Sequence, residues 1–236
     1  MNPIHPYRFA RFPLNLLLGC MVWLGFACAT FAEVVLSGFV GLRIINDDVV
    51  IARNTSCVLN SSVINGKVRL GPGASLLTVR SQITGNVRAL HSSRLDLRIF
   101  TRVEGDVLGE GARAILMQSG TIVAGNVELA DSNTPSGADA LLIVDSTVTG
   151  RVLATNNSGL LRIGGCGING NIAFLDNGNG SYLIRNNFIR GNVRYIGNRG
   201  AGVIVINRVE GNLLNRENSP PPSIANNIVG GNTVIR

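Results

Sequence analysis

One short pattern of apolar and polar positions recurs along the chain: Ile or Val, any residue, Gly, a polar residue, then an apolar residue. It reads Ile64-Asn65-Gly66-Lys67-Val68 and Ile83-Thr84-Gly85-Asn86-Val87, and it returns at Val103, Val123, Val148, Ile168, Ile189, Val209 and Val229. Ile45-Asn46-Asp47-Asp48-Val49 is a degenerate first copy with Asp in place of Gly. Successive Gly positions lie 19, 20, 20, 25, 20, 21, 20 and 20 residues apart. That period is too short for a pair of helices and suits one coil of a parallel β-solenoid. The pattern therefore predicts an all-β chain, a right-handed parallel β-helix of about ten coils of about 20 residues each.

Within each copy, period-two alternation puts the first and fifth slots inward, stacked coil upon coil, and the second and fourth toward water. Gly in the middle suits a bend or a close backbone approach; Asp47 is a tolerable substitute if the bend needs positive φ. Six copies carry Asn after the Gly, and stacked Asn amides can bond from one coil to the next. A second apolar segment follows about ten residues later, as in Leu76-Leu77-Thr78-Val79 and Leu141-Leu142-Ile143-Val144, so each coil has at least two strands. At about 4.8 Å per coil the rod is roughly 48 Å long.

Three segments interrupt the period. The long interval holds Asp131 to Gly137, a loop composition that should project from the rod. Pro220, Pro221 and Pro222 stand where a strand ought to begin, and fraying is expected there because Pro donates no ladder bond. The sequence given stops at Arg236 in mid-coil, without an evident cap over that end.

Residues 1–32 lack the repeat. Arg8 and Arg11 precede an apolar run from Leu14 to Phe31, the pattern of a secretory signal, with small residues allowing cleavage after Ala29 or Ala32. A retained anchor is the alternative; Leu17-Leu18-Gly19-Cys20 also has the form of a lipoprotein box, though apolar residues follow where a polar tether would be expected. The expected organisation is a signal over 1–32 and a β-helix over 33–236, with a secreted, periplasmic or cell-surface location.

Composition adds two points. The chain is 45% hydrophobic and 15% charged, with 29 Gly, which favours a thin fold with many turns. The formal charge is +7, falling to +5 without the two signal arginines, and it is uneven. Residues 67–113 carry eight basic and four acidic side chains, 114–184 two and five, and 185–236 seven and two.

These coils, with Asn runs such as Asn186-Asn187-Phe188-Ile189-Arg190-Gly191-Asn192, resemble the right-handed parallel β-helix proteins of the pectin-lyase-like group. Val103-Glu104-Gly105-Asp106-Val107 is also similar to the coil motif of bactofilins, which polymerise end to end, although their period is shorter and they are cytoplasmic. The first resemblance implies either a scaffold or a polysaccharide lyase, hydrolase or epimerase. The second implies end-to-end self-association.

Candidate chemistry is sparse. An enzyme of the β-helix group needs carboxylates or an Arg or Lys base grouped on adjacent coils. Glu104 and Asp106 are the best acid pair, and a solvated surface pair is the plainer reading. His91 has Ser92, Ser93 and Asp96 nearby, but local adjacency is not triad geometry. With no P-loop and no metal-spaced Cys or His cluster, no cofactor and no metal are expected. Cys57 and Cys166 lie five coils apart, about 24 Å, beyond the roughly 7 Å a disulfide spans.

The basic residues carry the alternative. Arg69 and Arg88 fall in the same outward slot on neighbouring coils, with Lys67, Arg98 and Arg102 close in sequence. Like charges stacked about 5 Å apart are unfavourable without an anion. The group is therefore a candidate site for an acidic polysaccharide or lipopolysaccharide phosphate, because Arg pairs with both anions bidentately. Export removes nucleic acid as the usual partner. Trp23, the only Trp, lies in the signal, and Thr84, Thr149 and Thr233 form no regular array for ice. Two classes remain: an exported non-catalytic scaffold contacting acidic glycans, and a carbohydrate-active β-helix enzyme.

Overall fold

The computed structural model describes residues 33–236; the expected signal and its Cys20 box lie outside the described residues. Within them the chain forms a parallel β-solenoid of three sheets. Sheet A gathers eleven strands, from Glu33–Leu36 to Thr233–Ile235. Sheet B gathers ten, from Gly38–Gly41 to Ser223–Ala225, and sheet C ten of two residues each, from Ile44–Ile45 to Ile228–Val229. Each strand pairs in parallel with its equivalent one coil away, as Val103 does with Ile83 and Val123.

The repeat pattern implied at least two strands per coil, and there are three because the five-residue unit divides at its Gly. Val63–Ile64 belongs to sheet C and Val68–Leu70 to sheet A, so the unit turns a corner. The first slot is one buried column in which Ile64, Ile83, Val103, Val123, Val148, Ile168, Ile189 and Val209 are each 0 or 1% exposed. Val68, Val87, Val107, Val127, Val152, Ile172, Val193 and Leu213 form the second column, likewise buried. At roughly 2 kcal/mol per buried aliphatic side chain, these columns drive the stacking. Phe174, Tyr182 and Tyr195 complete the core of the later coils with ring centroids 6.1–6.4 Å apart.

The Gly column answers the conditional reading of Asp47. None of the motif glycines has positive φ. Their requirement is closeness: the Gly85 N–H donates to the Gly66 carbonyl at 3.0 Å and the Gly150 N–H to the Gly125 carbonyl at 3.0 Å. A Cβ on Gly125 would stand 2.6 Å from the Gly105 oxygen. Asp47 is tolerated because it starts the column and receives the next Gly from one side only.

The outward residue after the Gly forms the expected ladder. Asn192 Oδ1 accepts from the Asn212 N–H at 2.8 Å and from its side-chain amide at 2.9 Å, and Asn171 Oδ1 receives Asn192 in the same way. Asp48 Oδ1 takes the Lys67 N–H at 2.7 Å.

Two more ladders run inside the other corners, where the chain turns through left-handed residues such as Asn156 (φ 54°) and Asn186 (φ 55°). One is Asn157, Asn177, Asn198 and Asn218; the other passes from Cys166 through Asn187 and Asn207 to Asn227. Each Asn side chain satisfies a backbone N–H that burial would otherwise strand, while the Cys166 thiol donates to the Ile143 and Gly164 carbonyls.

Two expected interruptions are smaller than the sequence suggests. In the 131–137 insertion, Ser132 and Thr134 are buried, the Thr134 hydroxyl donates to the Arg113 carbonyl, and the exposed residues are Asp131, Asn133 and the run Pro135 to Gly137. After the prolines the coil resumes: Ser223–Ala225 pairs with Val203 to Val205, so the prolines shorten the strand and do not end it.

Candidate functional site

Arg69 and Arg88 are register partners on sheet A, as their spacing predicted. Each guanidinium also has its own carboxylate: Arg69 pairs with Glu33 at 2.9 Å and Arg88 with Glu110 at 2.7 Å. The stacked cations are thus neutralised within the rod, at exposed sites where a pair contributes roughly 0–1 kcal/mol. Lys67 stands at the sheet C–sheet A corner of the same coil as Arg69, exposed.

The other basic candidates sit elsewhere. Arg98 lies on sheet B, where it and Arg94 bracket Asp96. Arg98 donates to the two Asp96 oxygens at 2.7 and 2.6 Å, and Arg94 to one at 3.3 Å. The hydrogen bonds to Asp96 raise the Arg98 pKa. Arg102 lies on sheet C, 3.5 Å from Glu104. The five candidates are therefore divided among three faces, and only Lys67, Arg69 and Arg88 share one.

The acid pair is committed to scaffolding. Asp106 belongs to the outward ladder: its Oδ1 accepts the Asn126 N–H at 2.7 Å and the Asn126 amide at 3.1 Å, and its own N–H donates to Asn86 Oδ1. Glu104 accepts from the Gln82 amide at 2.8 Å as well as facing Arg102. His91 is exposed and lies along Gly111, while Asp96 is clamped by the two arginines. Cys57 and Cys166 are free and buried, and burial pushes both thiols up to about 11.

The C-terminal coils hold a further basic group. Among the described residues every ion pair lies at or before Arg162. Arg185, Arg190, Arg194, Arg199, Arg208, Arg216 and Arg236 follow, with only Glu210 and Glu217 as acids. Arg208 lies over the Phe188 ring, 5.8 Å from its centroid. Arg194 borders a shallow hollow of about 330 Å³ on sheet A, together with Asn192, Asn212, Asn232 and Leu214. The signal for this region was in the sequence, as the count of seven basic against two acidic residues; what the count could not show was that seven of the eleven described arginines up to Arg162 are paired, all but Arg43, Arg53, Arg80 and Arg113.

Comparison of the chain with protein-family models, with curated proteins and with solved structures gives no match.

Proposed function

We propose that the protein is an exported, non-catalytic β-solenoid scaffold that contacts acidic glycans, such as an acidic polysaccharide or lipopolysaccharide, through its basic C-terminal coils. The observation that carries this reading is the contrast in arginine pairing. Seven of the eleven described arginines up to Arg162 meet a carboxylate within 4 Å, all but Arg43, Arg53, Arg80 and Arg113, whereas none from Arg185 onward does among the described residues. Unpaired guanidiniums remain available to an external carboxylate or phosphate. Arg194 beside the Asn192–Asn212–Asn232 ladder combines such a cation with amide groups suited to hydroxyls. The scaffold half of the reading is supported by Glu104, Asp106 and Asp139, whose oxygens serve neighbouring coils. Export rests on the leader pattern of residues 1–32.

The test is binding of residues 33–236 to alginate, pectate and lipopolysaccharide. Attraction between exposed charges is screened over about 8 Å at physiological salt. Binding should therefore fade as salt rises, and an Arg190→Ala/Arg194→Ala double variant should bind less than an Arg69→Ala/Arg88→Ala one. Equal binding by the wild type and both variants would discard the reading. Release of unsaturated or reducing-end sugar, abolished by Asp106→Asn, would establish an enzyme in its place.

A further inference from the structure

The outer face of sheet B differs from an ordinary solvated sheet. Its central outward column runs through register partners from Phe39 and Val58 to Leu183, Val203 and Ser223; seven of its ten members are apolar, Phe39 and Val203 exposed, Val58, Leu77, Leu142 and Leu183 half-buried, and Leu116, like Asp96, buried within the single chain. An apolar column of this length on the outer face of a sheet is a surface suited to a partner.

Apart from its outermost pair, Phe39 and Ser223, the order of residues in the column is chemically symmetric about its middle. Counting inward from both ends of the ten strands, Leu116 of the fifth mirrors Leu142 of the sixth, Asp96 of the fourth mirrors Arg162 of the seventh, and Leu77 of the third mirrors Leu183 of the eighth. Val58 and Val203 continue the symmetry outward. A face with this order is complementary to itself turned end for end.

We infer that two copies of this chain pack sheet B against sheet B, antiparallel, about a two-fold axis that crosses the rods between Leu116 and Leu142. Three features select that occupant and that direction. First, a two-fold in the interface plane can run along the rods or across them. Along the rods, the Arg94–Asp96–Arg98 cluster, two guanidiniums on one carboxylate and so net positive, would meet its own copy. Across them, it meets the neutral Arg162–Asp139 pair, whose Asp139 can answer the surplus cation. Second, Arg162 is already paired in the plane of the sheet, to Asp139 at 2.7 and 2.5 Å, so covering that pair strands no lone ion. Third, ten strands about 4.8 Å apart and about 16 Å long present roughly 800 Å², the area per partner of a standard stable interface. A second sheet of the same spacing can interdigitate along that whole length, which an arbitrary surface cannot.

This inference is independent of glycan contact, since Arg194 lies on sheet A and stays outside the interface. The test is the mass of residues 33–236 in solution at micromolar concentration, with the variant Leu142→Lys and the cysteine variants Leu77→Cys, Leu183→Cys and the two combined. The expected result is a dimer for the wild type. Leu142→Lys should be a monomer with unchanged circular dichroism, because Leu142 points outward. Under mild oxidation the combined variant should give a disulfide-linked dimer and the single variants none, since each single cysteine would lie about five strands, roughly 24 Å, from its copy. A monomeric wild type overturns the proposal, including one that instead floats with phosphatidylglycerol vesicles. So does a dimer that survives Leu142→Lys, the result expected of association through the rod ends. Cross-linking by the single cysteines would show parallel packing and overturn it equally.

Discussion

Asn207 Oδ1 accepts two hydrogen bonds from Asn187, one from its backbone N–H at 3.1 Å and one from its side-chain amide at 3.0 Å. Both residues are buried, and the Asn207 amide also donates to the Ile184 carbonyl at 2.8 Å. With its amide also donating to Asn227 Oδ1 at 2.9 Å, one side chain thus bonds the coils on both sides in a place water does not reach. Replacing it by an apolar residue of similar size leaves buried donors unmet, each costing about 1–3 kcal/mol. Asn207→Leu should lower the unfolding free energy by about 3 kcal/mol or more in urea titration. Asn207→Ser should cost less, because Ser81 and Ser146 occupy the same corner in earlier coils and bond to nearby carbonyls.

The Gly column gives a sharper contrast. A Cβ on Gly125 would fall 2.5 Å from Asp106 Oδ1 and 2.6 Å from the Gly105 oxygen, so Gly125→Ala must push two coils apart and break the outward ladder locally. A loss of about 2–3 kcal/mol is expected, visible as a lower Tm. Gly167 is the control: nothing lies within 4 Å of its Cβ direction and its φ is not positive. Gly167→Ala should stay within about 0.5 kcal/mol of the wild type, or stabilise slightly by restricting the unfolded chain.

Val123 tests the inward column. It is fully buried between Val103 and Val148. Val123→Asp places a carboxylate there with no partner and should cost several kcal/mol, whereas Val123→Ile should keep the column and the Tm within a few degrees. An unchanged Tm for Val123→Asp would contradict the packing described.

These contrasts show what the sequence made legible. The first and fifth slots and the post-Gly Asn ladder were readable because a Gly that must be Gly marks their phase in nearly every coil. The corner ladders were not, because Ser, Thr, Cys and Asn share the slot and no single letter repeats. The doublets Asn156-Asn157, Asn186-Asn187 and Asn226-Asn227 were the available signal: the first Asn takes the left-handed turn and the second points inward. The stacking of Arg69 on Arg88 followed from the period alone. Their carboxylates did not, since Glu33 lies 36 residues from Arg69 and outside the motif, so charge pairing had to be seen in three dimensions.

The last prediction concerns alkaline pH. Burial raises the thiols of Cys57 and Cys166 from an ordinary 9.0 to about 11, and the Tyr182 phenol from 10.0 to about 12; Tyr195 is raised further by burial and by Tyr182. In each case the folded group holds its proton where the unfolded one has released it. Above the unfolded values the native state therefore binds more protons, and stability falls as pH rises. Stability should be flat up to about pH 8, fall from about pH 9 and keep falling through pH 11. Removing the thiols should flatten the first part of that fall. Cys166→Ser is the appropriate change, since the Cys166 N–H bond to Asn187 Oδ1 is made by the backbone and Ser146 fills the preceding corner slot. Combined with Cys57→Ala, it should leave a decline beginning nearer pH 10, where the tyrosines alone respond. Thermal unfolding of wild type and double variant at intervals between pH 7 and 11 makes the measurement. In samples of residues 33–236 at pH 8 a thiol reagent should label neither Cys57 nor Cys166 of the native protein and both after urea. Labelling of the native protein would mean that the corner holding Cys166, or the sheet B interior holding Cys57, opens far more readily than its packing implies.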